Sequence, residues 1–230
     1  MAEQGYPGYL DPGTAASPYA SQEFLVQMIL GRAATATLVK VVEVTNAGEL
    51  SPVGFVDVQP LVNQIDADGK PTPHGVVYGI PYFRIQGGAD AIIIDPKVGD
   101  IGMAAFASHD ISSVKANKDQ ANPGSRRRFD MADGMYFGGL LNGTPVQYVR
   151  FTSSGISIVS PGKVTVTAPN IELDASTQCK VVSPDIELVG NTKVTGNMQI
   201  TGTTIGNGVN LNTHVHSGVQ SGSSNSGGPI

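Results

Sequence analysis

Over residues 149–211 apolar and polar positions alternate with a period of two: Ile156 and Ile158, Val164 and Val166, Ile171 and Leu173, Ile186 and Leu188, Met198 and Ile200. That period is the signature of β-strands with one covered face. Pro161, Pro169 and Pro184 punctuate it, and the stretches APNIELDAS and SPDIELVGN are near copies, which makes the region an irregular internal repeat. Strands that aim only two or three apolar residues at one face cannot bury a core alone. Repetition along one axis therefore points to a single-chain β-solenoid or to an intertwined β-prism. In the second arrangement three copies each supply one side of a triangular rod, apolar positions face the axis, and neighbouring chains close the strand edges. The irregular rungs and the shortness of the segment favour the trimeric, triple-stranded β-helix.

Upstream the pattern changes. Residues 34–113 contain TLVKVVEVT, VGFVDVQPLV, GVVYGIPYFRIQ, ADAIIID and GDIGMAAFASHDIS, separated by Gly, Pro, Asn and Asp, with no intervening helical period. Short strands in that number suit a small barrel, of which the oligomer-binding type is the common five-stranded form. Residues 114–148 carry loop signals and read as a linker that wraps to the rod. Residues 1–33 read as an irregular arm followed by a short amphipathic helix: Phe24, Leu25, Met28 and Ile29 fall at helical spacing and Gly31 stands where the helix should stop. Residues 212–230 form a Gly/Ser-rich end. The expected fold class is thus mainly β: an N-terminal oligomer-binding-type barrel, then an intertwined trimeric β-helix, with His214 and His216 at its apex as a candidate metal clamp.

Composition narrows the function classes. Only 14% of residues are charged and the formal net charge is −5, so a general nucleic-acid or anionic-membrane binder is not expected. The basic run Arg126, Arg127, Arg128 lacks interleaved aromatics and reads as a solvated loop or an interface clamp. A single cysteine, Cys179, excludes an internal disulfide. The N-terminus has neither a basic n-region nor an apolar h-region, so the chain is expected to be made in a cytoplasm and not exported by a cleaved signal. No charged residue follows Lys193, which lowers the cost of meeting a bilayer.

The candidate chemistry lies in LNTHVHSGVQSG. On a strand, His214 and His216 project to the same face, and in a threefold rod that face can be the axis. Three chains then bring six imidazoles to one point, an octahedral set that suits iron(II) or nickel(II) better than zinc and leaves no position open to substrate. Elsewhere the candidates are weaker. His109 and Asp110 are adjacent in FASHDIS and should face opposite ways, His74 reads as a loop residue, and Asp66, Asp68 and Gly69 read as a hairpin turn that only faintly resembles a calcium loop. No nucleophile elbow, zinc-protease motif or phosphate loop is present, and no enzyme is expected.

Three stretches, IIIDPKVGDIGMAAFASHDIS, SRRRFDMADGMYFGG and NTHVHSGVQSG, resemble the central spike, or baseplate assembly V-type, proteins of contractile-tailed bacteriophages. The resemblance implies a homotrimer with a barrel, a triple-stranded β-helix and a pointed tip. His214 and His216 match the family's iron-binding pair, one iron being shared by three chains, and Gly218 and Val219 match the turn that tucks the tail around the tip. It implies a tail-baseplate component of the virion, assembled in the host cytoplasm and held by a baseplate hub protein, that pierces the host outer membrane mechanically. The alternative expectation is a receptor-binding fibre or a secretion-system spike tip built on the same rod; the absence of any aromatic after Phe151 counts against a sugar-binding head.

Overall fold

The structure, a computed structural model, describes residues 17–46, 50, 52–66, 69–215, 218 and 222. The chain divides into two compact units, Met1–Val164 and Thr165–Ile230.

Unit 1 begins with α1 (Pro18–Arg32). Ser17 caps it, its Oγ accepting from Ala20 N at 3.1 Å, and Pro18 occupies the first turn, where its missing N–H costs nothing. The helix forms, but it buries no residue in its own chain; Val26, Ile29 and Leu30 are all more than half exposed. There follow β1 (Ala36–Val44), β2 (Phe55–Pro60), a small hairpin of β3 (Gln64–Ile65) and β4 (Pro71–Thr72), and β5 (Val77–Pro81). A second hairpin pairs β6 (Ile85–Gly87) with β7 (Asp90–Ile92). The unit continues through β8 (Ile101–Phe106), the one-and-a-half-turn α2 (Ser112–Asn117), a 3-10 turn at Met131–Asp133 and β9 (Gly134–Phe137). It closes with a hairpin of β10 (Tyr148–Thr152) and β11 (Gly155–Val159).

The central sheet has the order β5-β2-β1-β8-β9 and is antiparallel throughout. It curls into a half-barrel, and its two edges meet at one parallel bridge, Tyr82 to Tyr136, where Phe83 N donates to Tyr136 O at 2.8 Å. Alternation decides the inside: Val56 and Val58 on β2, Val39 and Val41 on β1, and Ala104 and Phe106 on β8 are buried with Ile80 and Tyr136. Covering a Val or Ile side chain this completely is worth about 1.5–3 kcal/mol each. Gly102 is the tight point. A Cβ there would stand 2.5 Å from the Tyr136 ring, so the ring packs only because the side chain opposite is missing.

Two strand assignments differ from the expectation. ADAIIID does not join the sheet but supplies β7, while the fifth sheet strand, β9, comes from GMYF inside the stretch read as a linker. Four residues flanked by glycines carry too short an alternation to register, and what places them is Tyr136 filling the gap above Gly102. The ADAIIID strand is instead pinned at its end by a buried ion pair, Arg84 with Asp95, whose side chains are 3% and 2% exposed.

Unit 2 is built differently. Across 165–204 no strand pairs with another part of the chain, and the apolar residues of the alternation stay exposed, from 48% at Ile200 to 79% at Leu173. Gly190 and Gly196 adopt φ of 127° and 128°, six residues apart, a backbone that other residues rarely take. A single-chain solenoid with stacked rungs is therefore not what this segment forms on its own. Among the described residues no helix is long and apolar enough to cross a membrane.

Candidate metal centre at the C-terminal end

The chain folds on itself where unit 2 approaches its histidines. β12 (Ile205–Gly206) and β13 (Val209–Asn210) make a hairpin whose two-residue turn is Asn207 and Gly208, at φ 49° and 78°. Positive φ at both central positions is the turn type that matches strand twist, and Asn-Gly is its preferred sequence. Past the hairpin, Leu211 N donates to Thr204 O at 2.8 Å, Asn212 Nδ2 to Gly202 O at 3.1 Å, and Asn212 N to Asn210 Oδ1 at 3.0 Å. These bonds tie the segment just before His214 to the two turns below it.

His214 is exposed, and its Nδ1 lies 3.0 Å from Leu211 O. A carbonyl oxygen only accepts, so Nδ1 is the donor in this contact, and in a neutral ring the lone pair then falls on Nε2. That is the arrangement usual for metal-ligating histidines, in which a bond to one ring nitrogen orients the other. His216 lies outside the described residues, as does Val219. Gly218 is described, with φ 82°, a left-handed turn that suits glycine. Among the described residues no group of three or more His, Cys, Asp or Glu side chains could hold a metal ion.

The other sequence candidates lie in unit 1. Asp66 Oδ1 accepts from Lys70 N at 2.7 Å and Gly69 N donates to Asp66 O, closing the β3–β4 turn; Asp68 lies outside the described residues. His109 and Asp110 take different partners. His109 Nδ1 meets Ser108 Oγ and its Nε2 meets Arg128 Nη2, both at 3.0 Å. Asp110 is buried, accepts from Ser112 N at 2.8 Å and pairs with Arg127 Nη2 at 3.1 Å. The Ser112 and Ser125 hydroxyls and the Ser112 amide, with Arg127 behind them, hold the Asp110 carboxyl well below the usual carboxylate range.

The basic run is thus divided by its middle member, which sequence reasoning left undecided. Arg127 reaches both Asp110 and Asp133, the latter 1% exposed and also accepting from Ile111 N at 3.1 Å, and Asp133 raises the guanidinium's already high pKa. This clamp ties the loop after β8 to the loop before β9. No spacing rule joins Asp110, Arg127 and Asp133, so only the scarcity of charge in the chain hinted that its few ionic residues are paired.

Residues 208–229 match the family model of the GpV Apex motif. No curated protein matches the chain.

Proposed function

We propose that this protein is the spike tip of a phage-type tail, a homotrimeric needle that punctures the host outer membrane when a contractile sheath drives it. The match of residues 208–229 to the GpV Apex motif is the observation that carries this reading. It supports a virion component in the tail baseplate, seated on a hub protein. It also agrees with unit 2, where a long alternating segment leaves its apolar residues uncovered in a single chain. Interleaving three copies would cover them and pair every strand edge. For unit 1, the strand order and the parallel bridge between Tyr82 and Tyr136 support an oligomer-binding-type barrel.

A metal at the apex fits the residues present. His214 donates through Nδ1, which makes Nε2 the nitrogen that would ligate, the segment behind it is bonded in place, and His216 follows two residues on in the sequence. His214 and His216 from three copies would hold one ion, and imidazole donors suit iron. The ion would supply cohesion rather than reactivity: its binding free energy adds to the stability of the assembled tip and opposes splaying under load. No acid, base or nucleophile is required. The work is mechanical.

Elemental analysis of purified protein, with assembly mass fixed by light scattering, tests both parts together. One iron per three chains is expected, with the iron lost and the trimer retained in His214→Ala/His216→Ala. One metal per chain, or a monomer, would overturn the reading.

A further inference from the structure

A groove of about 570 Å³ opens on unit 1 where the end of α1, the start of β1 and the loop before β9 come together. Its lining includes the apolar residues Ala34, Ala36, Phe106, Phe129 and Met131, although polar groups make up the larger part of its surface. Arg32, Gln64, His74 and Arg128 line it as well, Arg128 Nη2 lying 3.0 Å from His109 Nε2. One carboxylate belongs to it, that of Asp130, and it is engaged: Asp130 Oδ1 accepts from Ala132 N at 2.9 Å as the cap of the 3-10 turn. In a chain of formal net charge −5, with 14 Lys and Arg residues in all, two arginines lining one groove is a local reversal of sign.

The backbone of that groove is strained where the aromatic sits. Phe129 has φ 50°, a left-handed conformation that a bulky side chain rarely adopts. The strain is held from both sides. Arg127, two residues before, is clamped to the buried Asp110 and Asp133, and Asp130, the next residue, caps its turn; Phe129 O itself accepts from Ala34 N at 2.9 Å. The ring gains only partial cover for this cost, remaining 38% exposed in the trough. An aromatic kept in an unfavourable conformation yet left accessible is a feature of ligand clamps.

Along one wall β1 outruns its neighbour. Its register with β2 begins at Val39 opposite Pro60, and Leu61 N still donates to Leu38 O at 2.9 Å, so only Ala36 and Thr37 run past the paired stretch on that side. Nucleic acid fits poorly, because two arginines and an acidic chain give little of the phosphate attraction that such binding draws on.

We propose that this groove docks an acidic segment of a partner protein, its carboxylates at Arg32 and Arg128 and an apolar side chain against Phe129. The inference does not depend on the spike reading, and its test uses neither metal content nor assembly mass. Full-length protein is titrated with three pools of fluorescein-labelled octapeptides sharing the same apolar positions and differing in two residues, acidic, Gln or Lys, and with a labelled oligothymidylate. The acidic pool should bind at least about tenfold more tightly than the Gln pool, and the Lys pool not at all. Arg32→Glu/Arg128→Glu should abolish that preference. Phe129→Gly removes the ring and relieves the left-handed backbone, so affinity should fall about tenfold while the melting temperature holds or rises. Equal binding of the acidic and Gln pools, binding unchanged by either variant, stronger retention of the oligothymidylate, or no binding of any pool would each overturn the proposal.

Discussion

The two units use the same alternation and meet opposite fates. On β2, Val56 and Val58 are 1% and 0% exposed, whereas on the segment after Val164 the corresponding pair Ile171 and Leu173 are 57% and 79% exposed. The difference is not in propensity, since both stretches are β-branched and aliphatic residues at period two. It lies in what can fold back. Unit 1 has five sheet strands joined by turns, so each strand finds its neighbour in the same chain and the curled sheet covers its own inner face. The segment 165–204 runs through prolines and left-handed glycines without a reversal that would lay one rung beside the next. A period-two pattern therefore specifies a face to be covered, and chain reversal specifies whether the same molecule does the covering.

The sharpest way to break this comparison is to place one charge in each region. Val58→Asp should unfold unit 1, because an unpaired carboxylate in a core of this kind costs several kcal/mol, a large part of a domain's stability. Ile186→Asp should leave unit 1 folded and abolish the assembled species. Near-UV circular dichroism and light scattering on the same samples separate the two, and an Ile186→Asp protein that keeps its assembly would show that the rod face is not buried between copies.

A smaller effect probes the core itself. The Tyr136 hydroxyl is buried without a hydrogen-bond partner among the described residues, and burial, with some help from Asp100, pushes its pKa up to about 12. Tyr136→Phe removes an unsatisfied polar group and should be neutral or stabilising by about 1 kcal/mol in urea unfolding. The alkaline limb should change as well. An unfolded tyrosine ionises near pH 10 while the folded one stays protonated to about 12, so the unfolded state holds fewer protons between these values. Stability of the parent therefore falls as pH rises through that window, and Tyr136→Phe should flatten the fall. No equivalent response is expected from the rod.

The mildest probe is Cys179, exposed in the single chain and, wherever the backbone is extended, on the same face as Val181 two residues on. If neighbouring copies cover that face, the native thiol should react with a maleimide roughly tenfold or more slowly than in the Ile186→Asp variant. Equal rates would place Cys179 on the outside of the assembly.

Legibility followed how far apart the cooperating residues lie. Helix α1 was readable from local spacing, although it begins at Pro18, before the apolar residues that signalled it, because Ser17 and Pro18 make a competent start, and it runs through Gly31, the expected stop, to end at Arg32. β1, β2, β5 and β8 were readable from alternation. β9 was not, because its reason for being a strand is the Tyr136 ring opposite Gly102, a contact between residues 34 positions apart. At the candidate metal centre, the H-x-H spacing was plain in the sequence, while the bond from Nδ1 of His214 to Leu211 O, which selects the presenting nitrogen, needed the fold of the hairpin below it.

What the sequence by itself determined is periodic and local: where strands alternate, where glycine and proline turn the chain, and the two histidines near its end. These follow from the two-residue repeat of the extended backbone and from the conformations only certain residues tolerate. What only the tertiary structure decided is pairing at a distance: that β9 completes the sheet, that Arg127 is shared by Asp110 and Asp133, and that Phe129 is held strained over an arginine-lined groove. The physical reason is that burial and ion pairing depend on which surfaces meet in three dimensions, and one-dimensional order leaves those meetings open until the chain has folded.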